Sequence, residues 1–512
     1  MNRRTFVQSL GSSYLAARSA PAPAATASPF DVGSTAQLFV DRALVRRAEQ
    51  VSFTLHPAAK HAGNPLLRPD RPWEGWQLEL YGNVLYDPDE QMFKMWYYAD
   101  CPGCFAEHDS PSLYATSADG VKWEKPLVGT IPSLQGGKHN AVVLAELASV
   151  MKDRDDPDPA ERYKMICFLS VPREIQGYHT MVSPDGLTWR RSSARPIAPG
   201  RDVVTGYYDE ARRLYVAFPK IATAVRGHSR RVFYQVTSRD FKNWTEPRLV
   251  FAPDLRDDAG SLARIERVRP LLDVPDNPAE MRTEFYGIGA YVHESCTLAF
   301  PWVFTINNRG RYGNQDGPME VQLAVTRDLV DWDRQFRTPC LPLGEVGEWD
   351  CGMVYTQSRA LRVGDEIRLY YGGHNGTHGC PCFYRTEGTG RGTKFSGGIG
   401  LATWKLDRFV SADGAARGGR LTTVPLVFSG ERLEVNVRVK PGGSVTVQLL
   451  DSAERPIQGF GRSGSVRGDH LRAPVVWPGS RKLAELRGRP VCLKFDLDDA
   501  ELYSFRFRGG AS

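Results

Sequence analysis

Short apolar and aromatic runs recur along the chain in pairs, separated by turn residues: 82–87 then 93–97, 140–144 then 163–167, 203–207 then 214–218, 285–291 then 297–304, and 353–355 then 367–371. Runs of this length, rich in β-branched and aromatic residues and bounded by Asp-Pro, Asp-Glu and Gly-Asp, predict strands joined as hairpins. A turn of fixed composition follows four of the pairs. It reads Ser117, Asp119, Trp123, then Ser183, Asp185, Trp189, then Ser238, Asp240, Trp244, and finally Thr326, Asp328, Trp332. A hydroxyl residue and an aspartate two places on can hydrogen-bond the backbone of a bend. The indole four places further covers its apolar side. The fifth unit closes instead on a plain strand pattern over 398–403.

One supersecondary unit copied five times predicts a five-bladed β-propeller over residues 35–412. The uneven tryptophan spacing places insertions at 152–161 and 252–282. After about residue 420 the texture changes. Segments 433–439, 444–450, 491–495 and 502–507 alternate apolar and polar positions, as half-buried strands do. They predict a C-terminal β-sandwich over 420–510, so the whole chain reads as all-β.

Composition narrows the function. Aromatic residues are 11% of 512, with 49 glycines and 35 prolines, which suits a turn-rich β protein. The net charge of +6 is small and spread out, so nucleic-acid binding is not expected. Arg3 and Arg4 precede a weakly apolar stretch and small residues at 25–27, the pattern of a twin-arginine signal peptide over 1–27. A periplasmic or secreted protein follows. No later run reaches the ~18 apolar residues of a membrane helix. Nine cysteines include the close pairs Cys101/Cys104 and Cys380/Cys382, while Cys167, Cys296 and Cys492 sit in apolar strands. His374, His378 and the second cysteine pair match no zinc spacing, and loop disulfides suit an exported chain better. No cofactor is expected, a structural calcium ion in the channel being the one candidate.

In a propeller, ligands meet residues at the start of each innermost strand. Those positions read Glu79 and Tyr81, His139 and Asn140, Arg201 and Asp202, Glu284 and Tyr286, and Trp349 with Asp350. Carboxylates brought together repel and are costly to desolvate, so their convergence points to chemistry. Glycosidic bond cleavage uses such a set: one carboxyl donates a proton to the leaving oxygen and another acts as nucleophile or base. Aromatic residues at the mouth supply flat faces for sugar rings.

Leu38 to Asp41, Trp73 to Gly75 leading to Tyr81, Lys94 to Tyr97, Glu348 to Met353 and Gly400 to Thr403 resemble exported bacterial glycoside hydrolases of the family 32 and family 43 type. The resemblance implies a five-bladed propeller, with a C-terminal sandwich as in family 32, and three channel acids. Carried over by order, Glu79 would be nucleophile or base, Asp202 transition-state stabiliser and Glu284 general acid. Tyr81, His139, Asn140, Tyr286, Trp349, Asp350 and His374 would bind substrate. The family's Asn-Asp-Pro-Asn motif is absent, so Asp41 is a rival first acid. The three acids also fall on units one, three and four, whereas the family uses consecutive ones. A non-catalytic carbohydrate-binding propeller is the alternative reading, followed by a sialidase, whose Asp-box the repeated turn resembles with one residue fewer, and by a phosphorylase.

Overall fold

From Leu78 to Lys405 the strands gather into antiparallel sheets largely in chain order. The structure is a computed structural model and describes residues 28–509 apart from 100, 102, 106–110, 171, 172, 312, 381–394 and 417. The expected signal peptide over 1–27 and Cys382 lie outside the described residues. The first sheet is antiparallel and holds Leu78–Asp87, Met92–Ala99, Ser112–Ser117 and Ala141–Val143. The second holds Glu146–Lys152, Tyr163–Leu169, Gly177–Ser183 and Arg190–Arg191. The third holds Val204–Asp209, Leu214–Val225, His228–Ser238 and Arg248–Phe251.

Next come Arg282–Val292 and Thr297–Ile306 with the short partners Met319–Val321 and Ala324–Thr326. Then follow Met353–Thr356, Glu366–His374 and Gly397–Lys405, completed by the N-terminal strand Ala59–Lys60. One parallel bridge, Met319 to Met353, links these last two groups, with Leu361–Val363 paired to Glu366–His374, into a nine-stranded sheet.

Hydrogen bonds between neighbouring inner strands close a ring. Asn83 exchanges two with the backbone of Val150, and Gly206 N–H donates to Ser149 Oγ at 3.2 Å. Thr205 Oγ1 donates to the Ile288 carbonyl, Ala290 N–H to Ser358, and Ser358 N–H back to the Gly82 carbonyl at 3.1 Å. The packing here leaves no room for a side chain at Gly82, whose Cβ would stand 2.2 Å from the Trp96 carbonyl oxygen.

The four repeated turns end the third strand of their units. In each, one aspartate oxygen accepts two backbone N–H bonds: Asp119 from Val121 and Lys122, Asp185 from Leu187 and Thr188, Asp240 from Lys242 and Asn243, Asp328 from Val330 and Asp331. The next residue is left-handed every time, with φ of 76° at Gly120, 77° at Gly186, 61° at Phe241 and 62° at Leu329. Trp123, Trp189, Trp244 and Trp332 pack against the adjoining cores.

The C-terminal strands form an eight-stranded sheet around Arg432–Leu450 and Cys492–Arg508, which pair along most of their length. Register shifts at Asn436/Val437 and Val439/Ser444 bend this ribbon over a core that includes Leu433, Val447, Phe495 and Phe505. The N-terminal strands Gln37–Leu38, Val45–Glu49 and Val51–Leu55 also belong to this sheet, although their position inside 35–412 predicts the propeller. Their partners, Cys492–Arg508, Gly419–Thr423 and Val410–Gly414, lie some hundreds of residues away, and no local pattern announces such pairing.

Candidate functional site

Two of the expected acids stand at the heads of their inner strands, at one mouth of the ring, and act on the same phenols. Glu79 stands at the head of Leu78–Asp87, just before a register break between Glu79 and Asn83 that re-aims the strand. It is buried, and Gln77 Nε2 donates to its Oε1 at 2.9 Å. Asp202 precedes Val204–Asp209 with φ of 68°, a left-handed conformation costly for a residue with a side chain. The loop before it is pinned, since the Tyr178 hydroxyl donates to the Arg201 and Lys220 carbonyls.

Three phenols line the space between them. Tyr81 and Tyr355 stack with ring centroids 4.8 Å apart. Burial raises the Tyr81, Tyr286 and Tyr355 hydroxyls well above the usual phenol range. Glu79 adds to the shift at all three and Asp202 at Tyr81 and Tyr286, so both carboxylates act on the same two phenols. These hydroxyls remain protonated donors.

Cations complete the cluster. The buried Lys220 ammonium pairs with Asp202 and stands 4.2 Å from the centroid of the Tyr286 ring. Burial lowers its affinity for a proton, and Asp202 works against that shift. Arg231 lies 5.3 Å from the same ring and donates to Glu284 Oε2 at 2.6 Å. His378 packs on Tyr286 at 5.0 Å and on Phe304 at 4.7 Å. Burial, then Arg231, pushes its imidazole down to about 3. His378 enters the sequence reading only as a metal candidate, and Lys220, Arg231 and Tyr355 are absent from its site residues. Each sits within or after an apolar strand, where no motif sets it apart.

The other expected residues divide. Glu284 bonds to the cluster through Arg231 and also acts on the Lys220 ammonium. It is 1% exposed, its Oε2 also accepts the Arg231 backbone N–H at 3.2 Å, and its Oε1 accepts Arg282 Nε at 2.8 Å. His374 is buried behind Tyr355, with ring centroids 6.3 Å apart, and burial lowers it to about 4. Trp349 and Asp350 form a separate group with Tyr371 beside Ala59–Lys60.

His139 and Asn140 do not join the mouth. The run 140–144, expected as an inner strand, supplies the outermost strand of the first sheet, Ala141–Val143, and the second inner strand begins instead at Glu146. Asn140 is spent on packing: its Oδ1 accepts Trp73 Nε1 at 2.7 Å, and its Nδ2 donates to Tyr97 and Tyr114 at 2.8 Å each. His139 lies between Trp73 and Phe105. Asp41 is excluded as a first acid, because both its oxygens are clasped by Arg327.

No family model matches the sequence, and no curated protein matches it. Among solved structures the chain is similar to an N-acetylgalactosamine deacetylase from F. plautii in complex with blood group B trisaccharide, at 13% identity over 74% of this chain and 95% of that one, with a TM-score of 0.39. It is also similar to a glycosyl hydrolase from Bacteroides ovatus, at 12% identity over 69% and 94%, with a TM-score of 0.42. A third is a β-1,2-mannobiose phosphorylase from Listeria innocua in complex with β-1,2-mannobiose, at 14% identity over 69% and 97%, with a TM-score of 0.40.

Among the described residues, no three or more His, Cys, Asp or Glu side chains are grouped to hold a metal ion, and no helix is long and apolar enough to cross a membrane. The chemistry available at the mouth is that of two carboxylates, protonated phenols, the buried Lys220 ammonium and the half-buried Arg231 guanidinium.

Proposed function

We propose that the chain is an exported glycosidase, built as a five-bladed propeller with a C-terminal sandwich, that cleaves a glycosidic bond at the mouth holding Glu79 and Asp202. The observation that carries this reading is the unequal setting of the two acids around one pair of phenols, Tyr81 and Tyr286. The Asp202 side chain is 45% exposed and held by an ammonium ion, so water or an anomeric carbon can reach it. It takes the role of nucleophile or base. Glu79 is buried and takes the role of proton donor. Glu284, with both oxygens engaged by arginines, positions Arg231 instead of meeting substrate.

A phosphorylase is the second reading, favoured by Lys220 and Arg231 both standing close to the Tyr286 ring, where two cations could hold an inorganic phosphate. Turnover of a panel of chromogenic glycosides and manno-, galacto- and fructo-oligosaccharides, with and without phosphate, tests both. Cleavage without phosphate supports the glycosidase, cleavage only with phosphate supports the phosphorylase, and binding without cleavage of any panel member leaves a carbohydrate-binding propeller.

A further inference from the structure

We infer that the seam where the N-terminal strand Ala59–Lys60 completes its sheet is a separate subsite for an uncharged sugar ring. The inference rests on the carbohydrate reading of the mouth. A cavity of about 420 Å³ opens at this seam, and none of Glu79, Tyr81, Asp202 or Tyr286 lines it. That volume lies within the ~300–1,000 Å³ of small-molecule sites.

The wall of the cavity is built and rigid. Trp349 stacks on Tyr371 with ring centroids 5.5 Å apart and planes 28° from parallel. The Tyr371 hydroxyl donates to Asp350 Oδ2 at 2.9 Å, and Lys60 Nζ reaches the same oxygen at 2.7 Å. The Asn64 amide is fixed on three sides, donating to Tyr371 Oη and the Leu401 carbonyl and accepting the Leu401 N–H. Two glycines let the strands pass close beneath the indole: a Cβ on Gly400 would stand 3.0 Å from Trp349, and one on Gly373 would stand 2.9 Å from Asp350 and 3.2 Å from Trp349.

The charges decide the ligand. Lys60 and Arg68 face Glu348 and Asp350, so the cavity is balanced. Glu348 is turned onto its own loop, where Oε2 accepts the Glu345 N–H at 2.8 Å. Arg68 is exposed and donates to Ser396 Oγ at 3.1 Å, and no carboxylate pairs with it among the described residues. An aromatic face beside one buried carboxylate and one guanidinium with spare donors suits a ring with an apolar face and a rim of hydroxyls.

Saturation-transfer NMR with methyl α-D-mannopyranoside, methyl β-D-galactopyranoside, methyl β-D-glucopyranoside and L-arabinose tests this on the full chain. At least one should bind the wild type. Trp349→Ala should weaken that binding about tenfold, and Arg68→Ala on the exposed rim should weaken it severalfold without loss of folding. Absence of binding by all four sugars, or unchanged affinity in both the Trp349 and Arg68 variants, overturns the subsite. If the two seam variants lose binding while Asp202→Asn retains full hydrolysis, the seam stands and the assignment of the mouth falls.

Discussion

Lys220 and Asp202 form an ion pair that runs from the wall of the fold to its opening, since the lysine side chain is 7% exposed and the aspartate 45%. The lysine therefore sets where the carboxylate points, while the carboxylate remains open to a ligand. Because Asp202 is half in solvent, losing its partner does not strand a buried charge. Lys220→Met should lower kcat by about 10–100-fold, the range of a lost positioning or electrostatic contact, with KM little changed. Thermal unfolding should be close to wild type. An unchanged kcat would remove Lys220 from the site.

Glu284 makes the opposite prediction. Between Arg231 and Arg282 it is a fully buried carboxylate, and removing its charge leaves Arg231 without a carboxylate partner while Arg282 keeps only Glu280. Glu284→Gln should cost on the order of 3 kcal/mol of stability, the usual penalty for breaking a buried ion pair from one side. Chemical denaturation measures this directly. A stable variant with abolished turnover would instead return Glu284 to the role of general acid.

Acid should unfold the protein partly through His374 and His378, which burial holds down to about 4 and about 3. In the unfolded chain both titrate near 6.5. Their contribution is complete above that value and is lost as pH falls toward the folded values, because the unfolded chain then binds protons the native state refuses. The slope reaches about 1.4 kcal/mol per pH unit for each histidine. Urea denaturation from pH 7 to pH 4 should show this fall, and His378→Asn should flatten it.

His293 acts in the other direction. Its Nε2 lies 3.2 Å from Asp407 Oδ1, between the strands Arg282–Val292 and Val410–Gly414, and its value is raised to about 10 against the burial that opposes it. A raised value means stability that is complete below about 6.5 and is lost as pH rises through about 10. His293→Gln should remove that alkaline loss, as read by melting temperature between pH 7 and 10.

The repeated turns carry fold and no chemistry. Asp185→Ala removes two backbone hydrogen bonds of 2.8 Å each and should cost about 1–2 kcal/mol, as a lost cap does. Activity at permissive temperature should be unchanged, because these turns lie at the third strand of each unit and not at its head.

What was legible in the sequence is what local chemistry encodes. Asp119, Asp185, Asp240 and Asp328 form their turns with backbone groups two and three residues on, so a short pattern suffices to find them. The run 140–144 misled because an outer strand packed between sheets is as apolar as an inner one, and the true inner strand begins only a few residues later at Glu146. Glu79 and Asp202 could be picked out by their place ahead of inner strands. Lys220 and Arg231 could not, since their partners Asp202 and Glu284 are 18 and 53 residues away. The left-handed backbone at Asp202 is likewise silent in sequence, because an aspartate there looks like any turn former.

The central claim is that Glu79 and Asp202 divide the work of one bond cleavage. Steady-state turnover of the best glycoside from the panel by Glu79→Gln and Asp202→Asn, each checked for an unchanged melting temperature, tests it most directly. The account predicts that each substitution lowers kcat by at least about 100-fold, the lower end of what a positioned acid or base contributes. A folded Glu79→Gln or Asp202→Asn that keeps wild-type kcat would contradict it.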